Sequence, residues 1–207
     1  MRGGPRQGTE IRTPRKRRVD TDRREELLAR VEEIVLAEGF TSVTVEELSQ
    51  RLRCSKATLY SIASTKEQLV VSTVRHFFAT AAATIEEAVS AEPDSRKRIK
   101  TYLDGVGSAM RRNSPAFYDD MVSYGPTAEI YRRNTASAAT RVRELIDDGV
   151  GKGHFRATDG LLAAQVVALA IDGVQSGVVL EATGLSPGDA FAELGDLLLY
   201  GLTHASG

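Results

Sequence analysis

The side chains best suited to chemistry lie in one short stretch, residues 55–60, which reads Ser-Lys-Ala-Thr-Leu-Tyr. Ser55 is a typical N-cap, so the stretch is predicted to form a short helix in which Leu59 is buried. The side chains left facing outward are Lys56, Ala57, Thr58 and Tyr60. In a DNA major groove, lysine donates to guanine, and alanine and threonine methyl groups contact thymine. A helix with so little apolar surface is therefore predicted to lie in such a groove, with Lys56 contacting a base rather than only solvent.

Neighbouring side chains are suited to bind phosphate. Free backbone N–H groups at a helix N-terminus attract anions, and hydroxyl, phenol and ammonium groups bind phosphate oxygens in protein–DNA interfaces. The predicted phosphate-binding residues are Thr44, Ser55, Tyr60 and Lys66. Helix capping or surface solvation is the alternative role for Thr44, Ser55 and Lys66, and one residue can serve both.

Two helices joined by a bend would position these groups. Thr44 and Glu47 form a capping-box pattern at the start of the first helix. Apolar residues then recur on one face, at Val45, Leu48 and Leu52. The Arg-Cys pair at 53–54 interrupts this pattern before Ser55 begins the second helix. The spacing predicts a helix-turn-helix.

Longer helices flank this unit. The first is predicted to begin near Asp22, which forms a capping pattern with Glu25, and to end at Gly39. Another capping pattern, Ser64 with Glu67, opens a helix that reaches about residue 90. The helices up to residue 66 are predicted to form a compact trihelical unit.

The N-terminus is strongly basic. Residues 1–18 contain seven Arg or Lys and one Glu, a net charge of +6, so the remainder carries −7 of the whole-chain −1. Residues 1–19 are rich in Gly, Pro and Arg without periodicity and are predicted to be a disordered arm. Arg17 and Arg18 are predicted to contact DNA, as N-terminal arms of other proteins do. A solubilising leader is the alternative.

The rest of the chain is also predicted to be helical. Helical patterns cover residues 95–112, 115–123, 126–149, 158–183 and 187–203, with Pro or Gly at the joins. No segment shows convincing strand alternation. The chain is therefore predicted to be all-α, with a small N-terminal module and a larger C-terminal bundle.

Composition argues against several other classes of protein. The three histidines, His76, His154 and His204, are far apart, and none has Cys or carboxylates at metal-binding spacing. There is also no Gly-rich phosphate loop, so no catalytic residue, metal or cofactor is predicted. The single cysteine, Cys54, excludes an internal disulfide and fits a reducing cytoplasm. No secretory signal or membrane span is expected, because the longest apolar run, residues 161–171, is too short.

Residues 24–69 closely resemble the DNA-binding domain of the TetR family of bacterial repressors. The resemblance rests on Arg24, residues 37–40, residues 41–45, residues 55–60, Lys66-Glu67 and Leu69. Further along, Gly153, Phe155, Arg156 and Asp159 are similar to a Gly-x-Phe-Arg-x-x-Asp join in that family. The chain departs from the family at Arg53, where Gly is common before the turn, so the turn is predicted not to need a left-handed Gly. It also departs at residues 62–63, where an aromatic residue or His followed by Phe is common.

The resemblance implies a homodimer that binds a palindromic DNA operator and is released by a small-molecule effector. It divides the chain into the basic arm (1–19), the helix-turn-helix domain (20–66) and a ligand-binding and dimerisation domain (67–207). Within the last, clustered aromatic and methionine side chains predict a largely apolar effector pocket. The predicted lining residues are Tyr102, Met110, Phe117, Met121 and Tyr124. An ordinary core is the alternative.

The last two predicted helices are the expected dimer interface. Gly173 and Gly177 lie four residues apart on one face of a predicted helix, and glycine destabilises a helix by about 1 kcal/mol relative to alanine. This suggests close approach of another helix, which would complete an intermolecular four-helix bundle. The other predicted interface residues are Phe191, Leu194 and Leu198. Packing within one chain is the alternative.

The predicted function is thus a ligand-responsive transcriptional regulator, most simply a cytoplasmic repressor. Two alternatives remain open. One is a DNA-binding regulator that answers to a protein partner instead of a small molecule. The other is a helical small-molecule carrier with a vestigial DNA-binding module.

Overall fold

The computed structural model describes residues 14–203, and side chains from Arg23 onward. Within this range the chain forms ten helices and no strand, which confirms the all-α prediction. The helices are α1 (Pro14–Glu38), α2 (Val45–Arg51), α3 (Lys56–Tyr60), α4 (Lys66–Ala91), α5 (Arg98–Met110), α6 (Pro115–Ser123), α7 (Gly125–Gly151), α8 (Gly160–Gln175), α9 (Val178–Thr183) and α10 (Pro187–Leu202).

The first helix begins at Pro14, earlier than the predicted start near Asp22. Proline is favourable in the first turn of a helix, and Arg and Lys are good helix formers, so the basic segment can continue the helix. Asp22 consequently lies inside α1 and is not its cap. Residues 14–19 of the predicted disordered arm have helical backbone, whereas residues 1–13 lie outside the described part of the chain.

The start of α4 differs by one residue from the predicted capping box at Ser64 and Glu67. Thr65 is the N-cap, and its hydroxyl accepts a hydrogen bond from Gln68 N at 3.2 Å. The Gln68 side chain in turn accepts from Ser64 N at 3.0 Å. Because this helix must bury Leu69, tertiary packing selects between two capping registers that the sequence offers equally.

Two hydrophobic clusters form the interior. The first contains the buried faces of α1–α3, the N-terminal half of α4, and side chains of α6. The second lies among the C-terminal half of α4 and helices α5, α7, α8 and α10. Since α4 contributes to both clusters, it is the continuous element between the N-terminal module and the C-terminal bundle.

The segment predicted as one helix over residues 158–183 is two helices. Gly177 has φ +83°, in the left-handed region, and it separates α8 from α9. Gly173 and Gly177 therefore do not share a helix face, so the premise on which they were assigned to the dimer contact is wrong. A Cβ on Gly173 would lie 2.8 Å from Val179 Cγ2, so this glycine allows α9 to fold back on α8 within the same chain.

Candidate DNA-binding surface, internal cavity and apolar face

The α3 helix has the geometry expected of a groove-binding element. Leu59 is fully buried and anchors the helix, while Lys56, Ala57 and Tyr60 are exposed. Ser55 is the N-cap and accepts a hydrogen bond from Thr58 N at 3.1 Å. The Ser55 and Thr58 hydroxyls also lie 2.8 Å apart, and Thr58 is half-buried. The outward surface of α3 is therefore formed mainly by a lysine, an alanine methyl group and a tyrosine.

Lys56, the predicted base-contacting residue, forms an ion pair with Glu46 of α2. The hydrogen bond with Glu46 is the main cause that raises the pKa of Lys56, and the same bond lowers the pKa of Glu46. Both side chains are about half-exposed, so solvent screens the pair strongly. This partner was not predicted from the sequence, although Glu46 lies in the first turn of the predicted helix before the bend.

The bend between α2 and α3 uses a left-handed residue after all. Arg53 has φ +51°, a conformation that costs an ordinary side chain about 1 kcal/mol or more. The bend is supported by α1: Arg30 donates to Leu52 O at 3.1 Å and Arg24 donates to Ile62 O at 2.7 Å. These guanidinium groups satisfy carbonyl oxygens at the ends of α2 and α3, where the helix dipoles favour positive charge. Ile62 itself is buried beneath α3.

The remaining predicted phosphate-binding residues occupy helix starts. The Thr44 capping box is present: Glu47 N donates to Thr44 Oγ1 at 3.2 Å and Thr44 N donates to Glu47 Oε2 at 2.7 Å. This backbone hydrogen bond is the main cause that lowers the pKa of Glu47. Lys66 Nζ donates to Thr41 O at 3.4 Å, which places it beside the loop before α2. The side chains of Arg17 and Arg18 lie outside the described part of the chain.

Helix α6 is attached to the N-terminal module by a carboxylate. Asp120 Oδ2 accepts from Phe40 N at 2.6 Å and from Thr41 N at 2.8 Å, and Asp120 Oδ1 accepts from the Thr41 hydroxyl at 2.6 Å. Burial opposes ionisation of this carboxyl, but the hydrogen bonds from Thr41 and Phe40 outweigh it and lower the Asp120 pKa. The backbone adds one more link, since Ser114 N donates to Leu36 O at 2.8 Å.

A buried carboxylate joins the same regions at a second point. Glu32 of α1 is only 2% exposed, and its two oxygens have separate partners. Arg112, just after α5, donates to Glu32 Oε1 at 2.8 Å, and His76 Nδ1 of α4 lies 2.6 Å from Glu32 Oε2. Removing either partner would leave the buried Glu32 carboxylate partly unpaired, which would lower the free energy of unfolding. Three segments are thus held in one arrangement around Glu32.

Three of the predicted effector-contacting residues pack at this contact between α1 and α6, and Tyr124 also lines a separate small cleft beside Phe40 and Lys66. Phe117 and Met121 are fully buried in the first cluster, and the Phe117 ring packs edge-on against Phe40 at 6.5 Å between centroids. Tyr124 packs against Phe40 in the same way at 6.2 Å. Aromatic composition could not separate core from pocket because α6 turns its apolar face towards α1, a choice made by tertiary packing.

A separate cavity of about 370 Å³ lies among α4, α5, α7 and α8. Tyr102 and Met110 line it, in agreement with their predicted position. The other large apolar lining residues are Phe78, Ile85, Val106 and Ile171. Small residues of α4 and α7, such as Ala82 and Ser137, leave the space open between these helices.

Charged residues form one end of the cavity. Arg141 donates to both oxygens of Glu86, at 2.8 Å each, and to Glu144 Oε2 at 3.1 Å. The hydrogen bonds with Glu86 are the main cause that raises the pKa of Arg141. Nearby, burial and then the charge of Glu86 raise the pKa of Tyr102 to about 12, so its phenol stays neutral at ordinary pH. None of these three residues was predicted from the sequence, because Glu86 of α4 meets Arg141 and Glu144 of α7 only when the two helices pack together.

A second hydrogen-bonded group lies where α7 meets α8. The Tyr131 hydroxyl donates to Asp172 Oδ1 at 2.9 Å, and the Tyr118 hydroxyl of α6 lies 3.4 Å from the same oxygen. Burial, followed by the bond to Asp172, raises the pKa of Tyr131. Tyr131 lines the cavity whereas Tyr118 follows Phe117, so this group connects the cavity wall to the α6 junction.

The predicted dimer residues of α10 are directed mainly inward. Phe191 is buried against Gly107 of α5, and Leu194 and Leu198 are half-buried against the second cluster. Other apolar side chains of α8 and α10 are exposed and define what we call the α8–α10 face: Leu162, Val166, Leu169, Leu197 and Tyr200. Leu169, Leu197 and Tyr200 are each 72% exposed. Leu162, Val166 and Leu169 recur at helical spacing, a signal that the sequence contained.

The residues that the structure describes contain no cluster of His, Cys, Asp or Glu arranged to hold a metal ion. None of the helices within this described range has the length and apolarity required to span a bilayer.

Comparisons with known proteins agree with this geometry. No protein-family model matches the chain. The transcriptional activator FasR of Mycolicibacterium smegmatis, an HTH-type protein, is 24% identical over 174 residues, which cover 82% of this chain and 75% of FasR. A TetR transcription regulator from Haloarcula marismortui superposes with a TM-score of 0.72 at 14% identity, over 89% of this chain and 100% of its own. The chain has the fold of TetR transcription regulators.

Other structures with the TetR fold include one described as a transcriptional regulator from Saccharomonospora viridis in complex with choline. It has a TM-score of 0.72 at 16% identity, over 89% of this chain and all of its own. At these identities the similarity establishes the fold, and the ligand of this chain has to be argued from its own residues.

Proposed function

We propose that this protein is a cytoplasmic transcriptional regulator of the TetR family that binds a palindromic DNA operator as a homodimer. The observation that carries the proposal is the α3 helix, which is anchored by buried Leu59 and exposes Lys56, Ala57 and Tyr60. Arg24 and Arg30 of α1 support the bend from behind, so the module is complete from α1 to α4. The proposed interface comprises these α3 residues with Thr44, Ser55, Thr58 and Lys66, and with Arg17 and Arg18 of the N-terminal segment.

The α8–α10 face supports the homodimer. Large exposed apolar patches of this kind mark protein–protein contacts, and two copies related by a twofold axis would cover each other's patch. Such a dimer would present two α3 helices to two half-sites, which is how helix-turn-helix dimers read palindromes. Among the residues predicted for this interface, Leu194 and Leu198 are half-buried within their own chain, so only their exposed atoms can contact a second copy.

The cavity supports a small-molecule effector. Its lining is mostly apolar with a few polar groups, as is usual for ligand sites. The links at Asp120 and Glu32 join the C-terminal bundle to α1, so a change in the α4–α7 spacing would move the N-terminal modules. An effector can act in this way only if it binds the two arrangements with different affinity. FasR is an activator, and release of a repressor from its operator would use the same coupling.

Binding of DNA tests the proposal. The full chain is expected to bind its own promoter region with a footprint of two symmetric half-sites, and a scrambled fragment of equal length far more weakly. Affinity should fall steeply with salt, since phosphate contacts release counterions. Equal binding to both fragments at every salt concentration would contradict sequence-specific recognition, and binding to neither would favour the carrier alternative.

The dimer is tested by one charge placed in the α8–α10 face. Leu169→Asp is expected to convert a dimer to a monomer in sedimentation velocity, because it would bury an unpaired carboxylate at the contact. Val122→Asp on α6, another exposed apolar residue, is the matched control and should stay dimeric. A Leu169→Asp protein that remains dimeric would place the interface elsewhere.

A further inference from the structure

The charged end of the cavity carries an excess of negative charge. Glu86 and Glu144 contribute two carboxylates, and Arg141 is the only basic residue among those that line the cavity. Three N–H groups of Arg141 already donate to these glutamates. An anionic ligand would have to displace a glutamate from Arg141 and approach the other. A cationic ligand would instead add a second positive charge to a site with a net charge of −1.

The cavity wall also favours a cation. Three aromatic side chains line it: Phe78, Tyr102 and Tyr131. Aromatic ring faces carry partial negative charge, and they attract organic ammonium groups. Tyr102 and Tyr131 remain neutral because burial raises the pKa of both phenols.

The remaining polar atoms add acceptors. The Oε1 atom of Gln175 is buried without a hydrogen-bond partner, one turn beyond Asp172 on α8. Asp172 itself accepts the hydrogen bond of Tyr131. Apart from Arg141, no side chain of the lining brings a positive charge to offset these oxygens. The middle of the cavity is apolar and would contain a hydrocarbon segment.

We propose that the effector is a lipophilic organic cation, with its positive group beside Glu86, Glu144 and Tyr102 and its hydrocarbon part between α4 and α7. This inference rests on the proposed function, since it names the chemical class of the effector of that same cavity. The positive group would share the two glutamates with Arg141, and this loosens the link between α4 and α7 at that point.

Three matched probes test the charge preference: decyltrimethylammonium, decanol and decanoate. They share a ten-carbon chain and differ in the charge of the head group. Calorimetric titration of the full chain without DNA should show the cation binding about tenfold or more tightly than decanoate, with decanol in between. Decanoate binding as tightly as the cation, or no binding of the cation, would overturn the proposal.

Charge variants make the test specific to this site. In the double variant Glu86→Gln with Glu144→Gln, the charged end becomes +1, so the order of affinity is expected to reverse in favour of decanoate. Glu87→Gln is the matched control, because it removes an exposed charge from the same helix but does not line the cavity. A preference for the cation that persists in the double variant would show that these glutamates do not select it.

The outcome separates this inference from the proposed function. A cation that binds the cavity but leaves operator binding unchanged supports the ligand class and contradicts its role as effector. An anion that binds and releases the operator supports the regulator and overturns the ligand class.

Discussion

The helix-turn-helix module and the cavity between α4 and α7 differ in how far apart in sequence their interacting residues lie. The caps that define α2 and α3 connect residues three positions apart, such as Thr44 with Glu47 and Ser55 with Thr58. The charged end of the cavity instead depends on Arg141 and Glu86, which are 55 positions apart. Local pairs can be recognised in the sequence as short patterns, whereas a distant pair can be recognised only when packing brings its two helices together. Substitutions in each region test whether a change in one of them leaves the other unaffected.

Substitution of either of two buried phenylalanines should lower the free energy of unfolding the most, and by similar amounts. Phe117→Ala and Phe155→Ala each empty a fully buried site, in the first and second clusters respectively, and should each lower the free energy of unfolding by about 3 to 5 kcal/mol. Only Phe117→Ala should also weaken operator binding at a temperature where both variants are folded, because Phe117 contacts Phe40 and Phe77.

Chemical denaturation and DNA titration measure these two quantities. If Phe155→Ala weakened operator binding as much as Phe117→Ala, the two clusters would form one cooperative unit with respect to DNA.

Loss of the α6 link should have a smaller effect. Asp120→Asn is expected to lower the free energy of unfolding by about 1 to 2 kcal/mol, because the carboxylate is partly exposed and solvent screens its hydrogen bonds. Asp119→Asn, at the exposed neighbouring position, is the control and should be close to neutral.

The lowered pKa of Asp120 determines the direction in which its contribution to stability changes with pH. Its folded pKa lies below the ordinary 3.8, so its contribution is present above that pH and is lost as the pH falls through the lowered value. The wild-type protein should therefore lose more stability than Asp120→Asn between neutral pH and pH 3. Parallel curves for the two proteins would show that the ionised carboxylate stabilises nothing.

Within the DNA-binding module, two lysines should separate base reading from phosphate binding. Lys56→Ala is expected to weaken operator binding about tenfold and to change the preferred base, whereas Lys66→Ala should weaken all DNA sequences alike. Binding to the operator and to scrambled DNA measures both effects. Unchanged specificity in Lys56→Ala would remove Lys56 from the base-reading set.

Glu46 should have the smallest effect, and of opposite sign. Glu46→Gln removes the partner of Lys56 and one negative charge near the DNA, so affinity should rise about two- to fivefold at low salt. Discrimination between operator and scrambled DNA should fall, because Lys56 would no longer be oriented by α2. A loss of affinity would indicate that Glu46 itself contacts the operator.

The parts of the fold that could be predicted share a local cause. Ser114 before Pro115 specifies the start of α6, and the helix begins there as the pattern indicates. Where the sequence allowed two local structures, the prediction was wrong. The error was one residue at the Thr65 cap. It was a whole helix at Gly177, where the apolar pattern of α8 continues into α9 across a break. Arg53 shows a different limit, since its left-handed backbone is imposed by the bend.

The sequence by itself determined an all-helical chain with a helix-turn-helix and an outward Lys56-to-Tyr60 surface, because caps, periodicity and composition act within a few turns of helix. The tertiary structure decided which aromatic and methionine side chains lie in the core and which line the cavity. Phe117 and Met121 lie in the core, and Tyr102 lines the cavity. It also decided that Phe191 packs inward while Leu169 and Leu197 face outward. Both decisions depend on which helices are neighbours, and burial of apolar area across distant segments, not local pattern, selects those neighbours.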